Sequence, residues 1–560
     1  MRRRLTLCLI ILMVMVIVLS GCKSQETNKP EATATPAPSA RETAAPEETE
    51  PSGSEMLEAD PNVYATGMPI VKDKITVSIM GAKHPIHGEW SNMVFFKIME
   101  EKTNIAFTYN TPAWELFTEQ KNLAFTTGSY PEVFFGAMLT PKEEVTYGSQ
   151  GILLPLEEYI DKYCPNIVAM FEQNPGLRAS ITAPDGHIYS LPNYTTAPLA
   201  MAAQPNWVNY EWMKALGIEE SDLPTTLDGL YELLVRFKTE DPNGNGQADE
   251  IPYTFSDKVG DGLFNNFLPP FGIPSKRAFV TSDGVVKYGF LEPNFIHFLE
   301  FVNRLWEEKL IDQDSFAQDW SAKTGKSQSN LVGMTVEAVP DTAFGIPEPE
   351  EAVKYPMMPA WGTQYSPQAT LRTTGLATGT FAITDKCKNV EAMMRWVDYL
   401  YSEEGSLLIH YGPEGNLYRV LPDGMFEYII PTDGRGVEEK RGGEITPDCG
   451  LPLPKWVRPQ TETNWNSVLQ QQRAAQVDKK LWPYAVLPMP NLFFTLEEQE
   501  QLDIITIDLY KYEDENAVKF ITGELPLSEW SKFTDQLKKM GVEELIRITQ
   551  AAYDRWKAAQ

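Results

Sequence analysis

Hydrophobic patterning divides the chain into three regimes. Leu5 to Leu19 is an almost unbroken apolar run. Lys23 to about Glu58 is mostly Pro, Thr, Ala, Glu, Ser and Lys, with no aromatic residue. From about Met68 to Gln560 apolar and polar positions mix in short periods. In that third regime Ile75, Val77 and Ile79 alternate with Thr76 and Ser78, which predicts a strand over Lys74–Met80. Asn92–Thr103 reads as a helix and Ile105–Tyr109 as a second strand. Trp114–Thr127 reads as a helix with Leu116, Phe117, Gln120, Leu123 and Ala124 at helical spacing, and Glu132–Phe135 as a third strand. Strand, helix, strand, helix, strand at this spacing predicts a parallel doubly wound sheet. Ligands of such sheets gather at the carboxyl ends of the strands, here the loop His84–Trp90 and the segment Phe135–Met138. The third regime exceeds what one core supports, so two or more lobes are expected.

The first two regimes have separate roles. Arg2, Arg3 and Arg4 precede the apolar run, and Leu19-Ser20-Gly21-Cys22 closes it with small residues. That is the layout of an export signal. A membrane span needs roughly 20 apolar residues, more than this run supplies. Leu-Ser-Gly-Cys resembles the lipobox of bacterial lipoproteins, which implies that residues 1–21 are removed and that Cys22 is lipidated as the new N-terminus. Residues 22–67 then form the lipidated cysteine and a tether, whose composition cannot bury enough apolar surface to offset its ordering entropy. The implied location is the extracytoplasmic face of a cell membrane, by lipid anchor.

Charge narrows the partners. Asp and Glu number 77 against 48 Lys and Arg, a formal charge of −29, and loss of the three signal arginines makes it more negative. Nucleic acid is excluded as a partner, because binding phosphates needs clustered Lys and Arg. Cys164, Cys387 and Cys449 remain once Cys8 and Cys22 are accounted for. None has zinc-ligand spacing, and their odd number allows at most one disulfide.

The sharpest motif follows a predicted helix over Thr225–Lys238, with Thr225 and Asp228 as its capping box. In DPNGNGQADEIP, residues 241–252, Asp241, Asn243, Asn245 and Asp249 place side-chain oxygens at loop positions 1, 3, 5 and 9. Gly246 stands at position 6, where an EF-hand loop turns sharply, and the Gln247 carbonyl falls at position 7. Pro252 replaces the usual bidentate Glu at position 12, and Glu250 is the carboxylate placed to substitute for it. Hard oxygen donors in a tight loop suit a structural Ca²⁺. An Asn/Gly-rich surface turn is the alternative.

KNLAFTTGSYPEVFF (121–135), DGHIYSLP (185–192), WVNYEWMKALGI with PTTLDGLYELL (207–234), the calcium loop, ITDKCKNVEAMMRWVDYLYSEEGSLLIHYGPEGNLY (383–418) and FITGELPLSEW (520–530) together resemble the family 1 extracellular solute-binding lipoproteins of bacterial ABC importers. Within that family the chain is similar to the large oligosaccharide receptors. The resemblance implies an α/β, two-lobed clamshell of doubly wound mixed sheets with three hinge crossovers. Lobe 1 would comprise 68–195 and about 372–450, and lobe 2 would comprise 196–371 and about 451–560. It also implies an oligosaccharide ligand, permease subunits as membrane partners, a monomer and no catalysis.

Thirteen Trp and twenty-three Tyr agree with sugar binding, since flat C–H faces of sugars stack on rings, although core packing is the commoner fate of any one ring. Rings in loops or beside Pro and Gly are the ligand candidates: Trp90, Trp207, Trp361, Tyr418 and Trp465. Glu89 and Glu337, near expected strand ends, are the polar ones. Two other classes fit less of the chain. A calcium-dependent carbohydrate-binding adhesin or sensor would use the tether and the loop equally well. A polysaccharide-degrading enzyme would need a carboxylate pair, and with so many carboxylates pairs carry no information.

Overall fold

The computed structural model describes residues 56–57, 60–202, 205–346 and 349–560. The signal, Cys22 and the tether up to residue 55 lie outside the described residues. No helix among the described residues is long and apolar enough to cross a membrane.

The body begins earlier than residue 68. Met56 bridges Tyr64 and Val63 bridges Val71, and Val63 is 1% exposed against the core of lobe 1. One valine in a polar stretch covers that core, too little periodicity to read from sequence. Then β1 (Ile75–Met80), α1 (Val94–Thr103), β2 (Ile105–Asn110), α2 (Trp114–Thr127), β3 (Val133–Phe135) and α3 (Pro141–Ser149) follow, and β1 pairs with β2 and β3 in parallel as expected. On α2 the apolar face is rotated from the one expected. Phe117, Lys121, Ala124 and Phe125 are buried, whereas Leu116 and Leu123 are exposed. Lys121 fits inside because its ammonium reaches Glu143 at 2.8 Å, and the aliphatic stem packs where a leucine was expected.

β4 (Leu191–Thr195) carries the chain out of lobe 1. Lobe 2 is built on β5 (Asn206–Val208), α4 (Leu227–Thr239), β6 (Ile251–Thr254), α5 (Trp320–Gln328) and β7 (Val332–Val336). β7 is central, antiparallel to β5 and parallel to β6. The cap of α4 is Thr226, whose hydroxyl accepts from Gly229 N at 3.2 Å, one residue later than Thr225. Such a cap contributes about 1 kcal/mol. β8 (Leu376–Ile383) returns to lobe 1, β9 (Lys455–Val457) leaves it again, and α6 (Val468–Gln476), α7 (Leu496–Thr522) and α8 (Val542–Ala558) follow. Residues 451–457 therefore belong to lobe 1, correcting the boundary at 450. Leu451, Leu453 and Trp456 fill its core, and Leu502, Leu509, Phe520, Leu545 and Ile548 fill that of lobe 2.

The lobe 1 sheet runs β9-β4-β8-β3-β1-β2, so the three strands that connect the lobes are neighbours at one edge. Thr195 N donates to the Gly375 carbonyl at 2.8 Å, and Thr196 N to that of Val457 at 3.0 Å. Gly375 has φ +73°, and a Cβ there would stand 2.2 Å from the Thr195 carbonyl oxygen. Only glycine lets the crossovers approach this closely. Away from the hinge, Lys142 on α3 pairs with Asp503 on α7 at 2.6 Å, and Trp556 Nε1 on α8 donates to Ser180 Oγ at 3.0 Å. Cys164, Cys387 and Cys449 are all free and buried.

Candidate ligand cleft and calcium loop

The carboxyl end of β7 opens next to the first crossover, where Glu337 N donates to the Pro205 carbonyl at 3.2 Å. Glu337 Oε2 accepts from Lys323 Nζ at 3.0 Å and Trp320 Nε1 at 2.8 Å, and its Oε1 accepts from Ala338 N at 2.9 Å. Burial pushes this carboxyl up, but Lys323 and the two N–H donors outweigh it and hold it below its ordinary value. Lys323 is buried and also donates to the Val336 carbonyl at 2.9 Å. One residue on, the Ala338 carbonyl accepts from Arg473 on α6 at 3.3 Å. Asp341, raised mainly by burial, feels both Arg473 and Glu438.

Glu438 belongs to the lobe 1 side. It is paired with Arg441, whose Nη1 donates to the His410 carbonyl at 2.9 Å and lies 3.6 Å from Asp448. Asp448 is also paired with Lys455 and with His410 Nδ1. It is buried, which alone would raise its pKa, yet Lys455 foremost, with His410 and Arg441, holds it down at about 2. The Glu438 side chain is 57% exposed although desolvation is the largest influence on it. Glu337, Asp341, Arg473, Glu438 and Arg441 thus form a polar array running from one lobe toward the other.

The seven ligand candidates fare differently. Glu89 is exposed and paired with Lys83 at 2.5 Å, and Glu337 lies in the array. The five rings are covered by protein. Trp90 is 1% exposed, stacked on Phe96 at 5.6 Å and edge-on to Phe135 at 6.0 Å. Its Nε1 donates to His87 Nδ1 at 3.4 Å, which also accepts from His84 N, while His87 Nε2 donates to the Cys449 carbonyl at 2.7 Å. These three bonds require a neutral imidazole protonated on Nε2, in keeping with a pKa lowered to about 4, chiefly by burial. Trp207 packs with Phe344, Met357 and Val477, and its Nε1 donates to the Glu337 carbonyl at 2.9 Å. Trp361 packs on Phe267 at 5.0 Å. Its Nε1 and Asn206 Oδ1 have no protein partner and line a cavity of about 20 Å³, room for one water. Trp465 stacks on Tyr428 at 3.9 Å and lies 6.3 Å from Tyr418. All five are packed as core rings in this structure. Loop position in sequence does not separate a cleft ring from one sealing the core beneath a loop. Reading by sequence missed Trp320, Glu438, Arg441, Asp448 and Arg473. Only the Asp319 cap before Trp320, which places that ring at the first turn of a helix, was a usable signal.

The loop after α4 is wound around its own side chains. Asp241 Oδ1 and Oδ2 accept from Asn245 N and Gly246 N, each at 3.1 Å, Asn243 Oδ1 from Asn245 N at 3.1 Å, and Asn245 Oδ1 from Gln247 N at 2.7 Å. Asp249 accepts from the amides of Asn243 and Asn245. Gly244 and Gly246 adopt φ +69° and +72°, which permits the tight turn. Glu250 is 2% exposed, and its Oε1 has no hydrogen-bond partner. A buried carboxylate oxygen left without a donor costs folding free energy unless a cation meets it, so this donor set fits a hard divalent ion. Among the described residues no group of three or more His, Cys, Asp and Glu is gathered to hold a metal; three of this loop's six oxygen donors are amide or backbone oxygens.

The model of the family described as bacterial extracellular solute-binding protein matches residues 84–406, more than half of the chain. The chain belongs to this family. It is 26% identical over 531 residues to the fructooligosaccharide ABC transporter substrate-binding protein FusA of Streptococcus pneumoniae serotype 4, covering 90% of this chain and 95% of that one. It is 23% identical over 387 residues to lipoprotein LipO of Bacillus subtilis, covering 67% and 72%. The solved structure of FusA in complex with kestose superposes with a TM-score of 0.74 at 25% identity, covering 87% of this chain and all of that one. Another, of a FusA EF-hand mutant in complex with fructo-nystose, gives 0.74 at 24% identity with the same coverage. FusA is named for substrate binding and LipO as a lipoprotein, and the fold is that of the two-lobed solute-binding proteins.

Proposed function

We propose that this solute-binding protein is the receptor of an ABC importer, lipid-anchored through Cys22 at the extracytoplasmic face. As a monomer it captures an oligosaccharide between its lobes and hands it to a membrane permease. The observation that carries this reading is the arrangement of the crossovers. Three adjacent strands link the lobes at one sheet edge, and Glu337, with its bound Lys323 and Trp320, is joined to the first crossover through Glu337 N and the Pro205 carbonyl. Hydroxyl-rich ligands need such fixed charged and amide groups, supported by rings on which a sugar face desolvates. The similarity to a fructooligosaccharide receptor over most of both chains supports this ligand class, and the similarity to a lipoprotein supports the anchor.

The same proposal includes a structural Ca²⁺ held by Asp241, Asn243, Asn245, the Gln247 carbonyl, Asp249 and Glu250. When bound, the ion would neutralise the buried Glu250 carboxylate and tie the end of α4 to the start of β6. A thermal-shift screen of kestose, nystose, maltotriose and alginate trisaccharide, followed by chromatography of the recovered sugar, tests the reading. One class should raise Tm and come back intact. No shift from any of them, or a shortened sugar, would contradict it.

A further inference from the structure

Trp320 is 52% exposed, yet it is not free to turn. A lone exposed aromatic is ordinary on a protein surface, but the indole N–H of this one is bound at 2.8 Å by Glu337 Oε2. That carboxylate is gripped by buried Lys323 at 3.0 Å and by Ala338 N at 2.9 Å. Lys323 is itself fixed by the Val336 carbonyl at 2.9 Å. Asp319 anchors the backbone beneath, its Oδ1 accepting from Ala322 N at 2.8 Å. Two elements, α5 and the carboxyl end of β7, therefore converge to hold one large apolar ring out in solvent. An exposed ring whose orientation is fixed by a buried ion pair gives up rotamer freedom without burying its own surface. That cost is recovered when something flat covers it. Its location points to what: Glu337 N is bonded to the Pro205 carbonyl in the first crossover, at the carboxyl end of β7.

We propose that Trp320 is the lobe 2 stacking platform for one sugar ring of the ligand, and that Glu337 and Lys323 are its positioning residues. This deepens the oligosaccharide reading and rests on it. The ring presents its π-face to the C–H face of a pyranose or furanose, and its pre-set orientation spares the ordering cost at binding. Glu337 thus acts through Trp320, with its oxygens already occupied by protein donors.

The test is titration calorimetry of wild type, Trp320→Ala, Trp320→Phe, Glu337→Ala and the Trp320→Ala/Glu337→Ala pair with kestose and with whichever of nystose, maltotriose or alginate trisaccharide raises Tm most. Trp320→Ala should weaken binding at least tenfold, about 1.4 kcal/mol, with a smaller loss of Tm than a buried tryptophan would give, because about half of its surface is already in solvent. Trp320→Phe, which keeps a flat ring but loses the N–H that Glu337 holds, should bind with an affinity between wild type and Trp320→Ala. Glu337→Ala should weaken binding too, but should add nothing once Trp320 is gone, a non-additivity that a merely structural role for Glu337 would not produce. The ligand-induced change in tryptophan fluorescence should shrink in Trp320→Phe. Undiminished binding by Trp320→Ala while wild type binds would overturn the platform alone. Absence of binding by wild type to all four sugars would overturn the platform together with the reading beneath it.

Discussion

The 241–250 loop and the proposed cleft are both built from oxygen-bearing side chains, but they are assembled in opposite ways. Ten consecutive residues, 241–250, deliver all six donors of the loop, so Asp241 and Glu250 are neighbours because the chain between them is short. The cleft draws Trp320, Glu337, Asp341, Glu438, Arg441 and Arg473 from segments that meet only after three crossovers have formed. A local site is specified by spacing, whereas a distributed one is specified by topology and by which surfaces stay uncovered. The two should therefore respond differently to perturbation: damage to the loop acts on stability, and damage to the cleft acts on affinity.

The largest effect separates true cleft rings from core rings. Trp90→Ala should destabilise lobe 1 by about 3–5 kcal/mol, the usual cost of emptying an aromatic site in a packed core, and should release the His87 imidazole from its third bond. Denaturant unfolding followed by near-UV circular dichroism measures it. A normally stable variant with weakened sugar binding would return Trp90 to the cleft and undo the distinction drawn from its burial.

Next comes the loop. Calcium at 100 times its Kd should stabilise the protein by about 2.7 kcal/mol, seen as a fall in Tm on adding a chelator. Asp241→Ala and Glu250→Gln should each remove most of that calcium dependence while leaving sugar affinity nearly intact. Equal melting of wild type with and without chelator would contradict the site.

A smaller effect concerns the hinge side of lobe 1. Glu144 on α3 is 1% exposed, and neither oxygen makes a well-formed hydrogen bond. Burial pushes its pKa up from 4.5 to about 8, with the Ser190 hydroxyl beside it offsetting part of the shift. The folded state therefore holds this proton more tightly than the unfolded chain does. Its contribution to stability is complete below about pH 4.5 and is lost as the pH rises toward 8. Glu144→Gln should leave Tm at pH 5 little changed and raise it relative to wild type at pH 8 and above. Parallel Tm-against-pH curves for the two would show the carboxyl to be solvated or paired.

Legibility in the sequence followed the same division. The alternation at Ile75, Val77 and Ile79, the helix after it and the order of the first three strands could all be read, because short-range periodicity determines them. The loop at 241–250 could be read for the same reason. Leu116 and Leu123 were misplaced because Lys121 buries its stem where a leucine was expected. Val63, Leu451 and Trp456 were missed because each reaches its core from a segment without period. Trp90, Trp207, Trp361, Tyr418 and Trp465 look alike in sequence to Trp320. What divides them is whether another segment covers the ring, and that depends on residues far away along the chain.

The most direct test of capture between the lobes is a distance across them. Spin labels at Leu123→Cys, exposed on α2 of lobe 1, and Lys532→Cys, with its side chain 77% exposed on lobe 2, would be placed in a Cys22→Ala background. The three buried native thiols would stay unlabelled. Pulsed electron resonance, with and without the sugar that raises Tm most, reads the separation. A ligand closes the lobes only as far as it prefers the closed state, so sugar should give a shorter and narrower distance distribution, and no such change in Trp320→Ala at the same sugar concentration. A distribution unmoved by a sugar that calorimetry shows to be bound would contradict capture in the cleft.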